Sequence, residues 1–211
     1  MGSKPRGGTR WKRFAVVMVP SVAAAAAVGV GLAQGALAAS FAVSGQSFKV
    51  RAGHLEGTGF AQYGGVDEGY TDISGSKTTK RPVAISTFKH AEINDMCQSL
   101  KTDIPLLGTV YMRLDAGRNG KTVEADNLYL DIAQLDADAT FKGIDIGVAV
   151  KDQNKGPAVT DKGVLPGGFA QQADTAILDD AKQVAWATTA GTFKLSGLSL
   201  RLGTDSKMEC F

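Results

Sequence analysis

Leu128-Tyr129-Leu130-Asp131-Ile132, continued by Leu135-Asp136-Ala137-Asp138-Ala139-Thr140-Phe141 and then by Ile144-Asp145-Ile146-Gly147-Val148, is the stretch that decides the fold. Apolar and polar residues alternate along it with a period of two. Successive side chains of an extended chain point to opposite faces, so this pattern gives a strand one greasy face and one wet face. The same alternation recurs at Phe48-Lys49-Val50-Arg51-Ala52, at Val110-Tyr111-Met112-Arg113-Leu114 and across residues 193–202. Helical spacing is nearly absent; only residues 170–187, rich in Ala, Gln and Asp, offer a short helix. The expected class is all-β, a single domain of curved antiparallel sheet, arranged as a sandwich or as something β-solenoid-like.

The solenoid alternative rests on a recurring unit. Phe41-Ala42-Val43-Ser44-Gly45 followed by Phe48-Lys49-Val50 aligns with Phe193-Lys194-Leu195-Ser196-Gly197 followed by Leu200-Arg201-Leu202. Val123-Glu124-Ala125-Asp126-Asn127 followed by Leu130-Asp131-Ile132 has the same shape. Each unit holds a Gly or Asn that tolerates positive φ, which predicts a bulge or tight bend within a strand. The spacing between units is irregular, whereas a solenoid wants a fixed period. Ordinary strand chemistry therefore explains the repeats equally well.

Gly, Pro and Asn clusters mark the connections. Residues 64–82 read as an exposed excursion and residues 152–168 as the longest polar connection. Arg118-Asn119-Gly120 carries a hairpin turn signal between two alternating runs.

Ahead of the sheet pattern stands a segment of another kind. Residues 1–39 hold Lys4, Arg6, Arg10, Lys12 and Arg13 and no acid, then an uncharged apolar run, then Ala36-Leu37-Ala38. A basic head, an apolar middle and small residues at a cleavage position make an export signal. Cleavage after Ala38 is one outcome. The other is an uncleaved anchor, because residues 14–37 exceed the roughly 20 apolar residues that cross a bilayer. Either way residues 40–211 form an extracytoplasmic domain, secreted or held at the membrane by an N-terminal helix.

Setting the leader aside changes the charge. The whole chain has 23 basic and 21 acidic residues; removing the five basic ones leaves 18 against 21, a net charge of −3. A mildly acidic domain lacks the electrostatic footprint of a nucleic-acid binder. Its two cysteines, Cys97 and Cys210, form an even pair in an oxidising compartment and read as one disulfide, with two buried free thiols as the alternative. Two cysteines without a nearby histidine pair do not make a zinc site.

Catalytic patterns are thin. The only histidines are His54 and His90, and no Gly-x-Ser-x-Gly elbow occurs. Surface or half-buried histidines are the ordinary reading, so no catalytic residue, cofactor or metal is assigned. Asp126, Asp131, Asp136, Asp138 and Asp145 could be taken for a calcium cluster. They fall, however, at the polar positions of alternating runs, as on a solvated sheet face. Phe60, Tyr63, Tyr70, Phe169 and Trp186 lie near glycine-rich connections and are candidate ligand-binding aromatics, or core plugs beneath long loops. A concave sheet with an apolar inner face could also hold a lipid chain.

Several stretches carry a resemblance. They are residues 41–52, residues 55–64, Asp95-Met96-Cys97-Gln98-Ser99, residues 138–148, Gln171-Gln172-Ala173-Asp174, residues 185–198 and the terminal Glu209-Cys210-Phe211. Together they resemble an actinomycete family of exported envelope proteins of unknown function, over nearly all of the exported part. The resemblance implies a secreted or membrane-anchored location and a multi-pass membrane protein encoded nearby as a partner. It also favours pairing of Cys97 with Cys210. Some members are labelled "cholesterol esterase", a label that no nucleophile motif here supports. The expected role is a non-enzymatic binding or structural module for a membrane partner, for itself as a homo-oligomer, or for a lipid-like ligand. A secreted lipid esterase and a calcium-dependent adhesion module are the alternatives.

Overall fold

A computed structural model describes residues 44–71, 75–104, 106–160 and 163–211. The export segment and the first residues of the Phe41 repeat lie outside the described residues. Among the described residues nine strands follow one another: β1 (Phe48–Tyr70), β2 (Thr78–Asn94), β3 (Met96–Ile104), β4 (Gly108–Ala116), β5 (Val123–Lys142), β6 (Asp145–Ala149), β7 (Phe169–Thr189), β8 (Thr192–Lys194) and β9 (Ser199–Gly203). Two single 3₁₀ turns, Val150–Asp152 and Ser206–Met208, are the only helical turns among the described residues. No helix there is long and apolar enough to cross a membrane. The all-β expectation holds.

The strands form one antiparallel sheet in the order β6-β7-β5-β2-β1-β3-β4-β9, with β8 beside β5. Two long ladders organise it. Against β1 the chain runs unbroken through β2 and β3: Tyr70 faces Thr78, His54 faces Asn94 and Phe48 faces Leu100. Asp95, at φ 51, bends the chain between β2 and β3, and its amide is held by the Gly117 carbonyl at 2.9 Å. Against β5 the chain runs through β7 and β8, from Lys142 opposite Thr175 to Glu124 opposite Lys194.

One further pairing closes the sheet on itself. Residues 181–185 of β7 pair with residues 48–52 of β1, Ala185 facing Phe48 and Ala181 facing Ala52. Strands β1, β2, β5 and β7 thus form a ring whose apolar faces look inward. Strands β3, β4 and β9 extend from it as a wing. Closure removes sheet edges that would otherwise be templates for aggregation. An antiparallel ring replaces the solenoid alternative, because the repeats do not stack: one lies in β5, and another is split between β8 and β9. Their bend residues behave as expected, with Asn127 at φ 49 and Gly197 at φ 70.

Three further expectations are corrected. Residues 170–187 are strand, not helix, because Ala173, Ala176, Ala181 and Ala185 are buried in the sheet, and tertiary packing overrides alanine's helix preference. The excursion expected over residues 64–82 shrinks to the tip between β1 and β2. Gly65 sits inside β1, where a Cβ would lie 2.4 Å from Ile85 Cδ1. The turn at Arg118 does form, with Asn119 at φ 57 and Gly120 at φ 75, but it joins β4 to β5, which are not neighbours in the sheet.

The core divides between the two faces. Inside the ring pack Leu55, Phe60, Phe88, Ile93, Leu128 and Leu178 with their neighbours. On the other face Tyr63, Val83, Ile85, Val150 and Ala170 form a second cluster beneath the connection from β6 to β7, which contributes Val159 and Val164. Gly156 of that connection approaches so closely that a Cβ would meet Ala61 Cβ at 2.5 Å.

The wing carries the disulfide. Cys97 in β3 bonds Cys210 across 113 residues, so the pairing expected from composition and resemblance is present. The C-terminal tail lies over the polar face of the wing. Cys210 N donates to Ser99 Oγ at 3.1 Å, and Lys49 Nζ reaches the Phe211 carbonyl at 2.8 Å.

Candidate functional site

Inside the ring lies a cavity of about 230 Å³. Its walls come from β1, β2, β3, β5, β7 and β8, and the period-two pattern explains why they are apolar. Leu135, Ala137, Ala139 and Phe141 are the apolar half of the β5 alternation, and all four line it. The intervening Asp136 and Asp138 take the other face by the same alternation. Phe60 stands between Phe88 and Phe141, with ring centroids 5.3 and 5.2 Å apart. A 150 Å³ apolar cavity holds benzene, so this volume suits roughly nine or ten carbon atoms.

Five lining residues are polar: Gln62, Ser86, Gln98, Gln183 and Thr188. None of the described lining residues is charged. Gln62 Nε2 donates to Ser86 Oγ at 2.8 Å, and Gln62 Oε1 accepts from Gln171 Nε2 at 2.6 Å. The pairing register sets Ser86 opposite Leu130, and Leu130 opposite Thr188. Gln98 and Gln183 flank Val50, each paired directly to it from the opposite side.

The five aromatic candidates occupy different places. Phe60 lines the cavity. Tyr63 and Trp186 belong to the second cluster, on the other face, where the Arg81 guanidinium lies 4.1 Å from the Trp186 ring centroid. Tyr70 ends β1, and its carbonyl accepts from Arg81 Nη2 at 2.6 Å. Phe169 begins β7 and is exposed. The structure therefore brings Tyr63 and Trp186 together and keeps them apart from Phe60.

Each histidine is joined through Nδ1 to a carboxylate: His54 to Asp179 at 2.6 Å and His90 to Asp126 at 2.8 Å. Donation to the Asp126 carboxylate raises the His90 pKa above the ordinary value, against the opposing effect of burial. Both imidazoles are roughly two-fifths exposed, and neither lines the cavity. Among the described residues no serine or threonine hydroxyl is hydrogen-bonded to either ring.

The aspartates named in the sequence scatter likewise. Asp126 serves His90, Asp136 accepts from Gln134, and Asp145 meets Lys155 at 3.2 Å. Among the described residues no three metal-ligating side chains gather at one point. A concentrated charge site in the wing is structural: Asp115, 3% exposed, accepts from Arg113, Arg118 and Arg201 at 3.1, 2.5 and 2.7 Å. Burial pushes its pKa up, but the three guanidinium groups outweigh that and hold it below the usual carboxylate value.

Sequence reasoning anticipated Phe60 and an apolar inner face. It missed Gln98 and Gln183, whose only signal was a polar residue at an inward position. No curated protein and no solved structure matches the chain. Over residues 44–211, the full span of the described residues, the chain matches the model of the family of unknown function DUF6230, and it belongs to that family.

Proposed function

We propose that this protein is a non-enzymatic binding module that takes an apolar, lipid-like ligand into the ring of β1, β2, β5 and β7. The observation that carries the reading is the 230 Å³ cavity, lined by the inward half of the strand alternation and holding no charged side chain among the described residues. A close-packed core leaves few voids larger than a water molecule, so a space of this size with apolar walls is a ligand site in form. The leader pattern in the sequence supports an extracytoplasmic location, and the Cys97–Cys210 bond accords with an oxidising compartment. Ester hydrolysis is disfavoured because both imidazole–carboxylate pairs stand outside the cavity, away from where a lipid would lie.

The test is thermal unfolding of the full chain with increasing butylbenzene, whose ten carbons match the cavity. Saturable stabilisation is expected, rising as RT ln(1 + [L]/Kd). An Ala181→Phe variant, which projects a ring into the space, is expected to fold and to lose the effect. No shift in the parent protein, or an equal shift in the variant, would overturn the reading. Hydrolysis of p-nitrophenyl butyrate that a serine-directed inhibitor abolishes would favour the esterase alternative instead.

A further inference from the structure

Resting on the cavity reading, we infer that the ligand is a neutral amphiphile whose uncharged hydrogen-bonding head, a hydroxyl or its equivalent, is held by the side-chain amides of Gln98 and Gln183. Val50 of β1 pairs with Gln98 of β3 on one side and with Gln183 of β7 on the other. Residues directly opposite in an antiparallel ladder share a face, so all three side chains look the same way, and all three line the cavity. Two glutamines on either side of a central valine are about 10 Å apart across the sheet, a gap that two long side chains can close over one small head group.

These amides differ from the other polar lining groups. Gln62 is committed to Ser86 and to Gln171. The amides of Gln98 and Gln183 make no side-chain hydrogen bond to a described residue. Each amide offers two donor hydrogens and one acceptor oxygen, a set that matches a hydroxyl, which both donates and accepts. Half-buried amides of this kind can exchange their water for a partner that enters with the ligand.

Charge decides against an acid or an amine. The cations nearest this point stand on the other face, because alternation turns Lys49, Arg51 and Lys182 away from Val50 and Gln183. Lys49 is in addition tied to Glu209 and to the Phe211 carbonyl in the C-terminal tail. A carboxylate entering here would lose water and meet only neutral dipoles, and an ammonium group would find no carboxylate. A neutral head loses far less. The structure therefore assigns the site to alcohols over fatty acids and alkylamines of the same chain.

Calorimetric titration of the full chain with octan-1-ol, sodium octanoate, octylammonium and butylbenzene tests this at neutral pH. Octan-1-ol is expected to bind at least about 30-fold more tightly than octanoate or octylammonium. Gln98→Leu/Gln183→Leu is expected to weaken octan-1-ol about 10-fold or more and to leave butylbenzene unchanged or tighter. Gln62→Leu is the comparison variant and is expected to have the smaller effect on octan-1-ol. Octanoate binding as well as octan-1-ol, or a double variant that keeps full affinity for the alcohol, would overturn the inference while butylbenzene binding still stood. If butylbenzene also fails to bind, the cavity reading itself falls, and the inference falls with it.

Discussion

Replacing Ala181 by leucine tests whether the ring encloses usable space. Ala181 is buried in β7, faces Ala52 across the pairing that closes the ring, and lines the cavity. The substitution adds three carbon atoms. At about 0.8 kcal/mol per buried methylene the full gain is about 2.4 kcal/mol. Lost rotamer freedom and imperfect fit reduce it, leaving about 1–2 kcal/mol of stabilisation. For a domain of this size that raises the midpoint of thermal unfolding by about 3–6 °C. Urea unfolding at constant slope gives the same quantity independently. A second variant, Ala137→Leu on β5, enters the cavity from another wall and is expected to stabilise as well. Gly57→Ala supplies the opposite sign: its Cβ would lie 2.3 Å from Cδ1 of the fully buried Phe88, so destabilisation of about 1–3 kcal/mol is expected. The reasoning is refuted if both leucine variants destabilise as Gly57→Ala does, because that is how a filled core responds.

Two further perturbations address the wing. Removing the disulfide with Cys97→Ala/Cys210→Ala opens a loop spanning 113 residues and is expected to cost up to about 4–5 kcal/mol by chain entropy, seen as a lower urea midpoint; a loss under 1 kcal/mol would mean that the tail contributes little. Asp115→Asn is expected to cost about 2–3 kcal/mol at pH 7, because it leaves Arg113, Arg118 and Arg201 without their shared carboxylate while two of them still reach water. The sign with pH follows from the lowered native pKa of Asp115. Its contribution is complete above the ordinary carboxylate value of about 4 and fades as pH falls through the lower native value, so parent and variant converge in acid.

The legible parts of the fold were those written in local periodicity. β5 alternates Leu, Ala and Phe with Asp over most of its length, and it is a single 20-residue strand. β7 could not be read this way. Several of its inward positions are alanines, at 173, 176 and 181, and an alanine carries no strand signal of its own. The Asn119-Gly120 turn was legible in its backbone and misleading in its partners, because turn chemistry does not state sheet order. Closure of β7 onto β1 depends on a register between residues about 130 apart, which no local pattern encodes. For the same reason Phe60 stood out as an aromatic, while Gln98 and Gln183 stayed unmarked. Both are polar residues in inward positions, and only the ring shows that they share a wall with Val50.

The most direct test is an electron-density map of the full chain crystallised with octan-1-ol. The account predicts one alcohol molecule inside the ring, its chain against Phe60 and Leu178 and its oxygen between Gln98 and Gln183. Side chains filling that space, or β7 lying apart from β1, would contradict it.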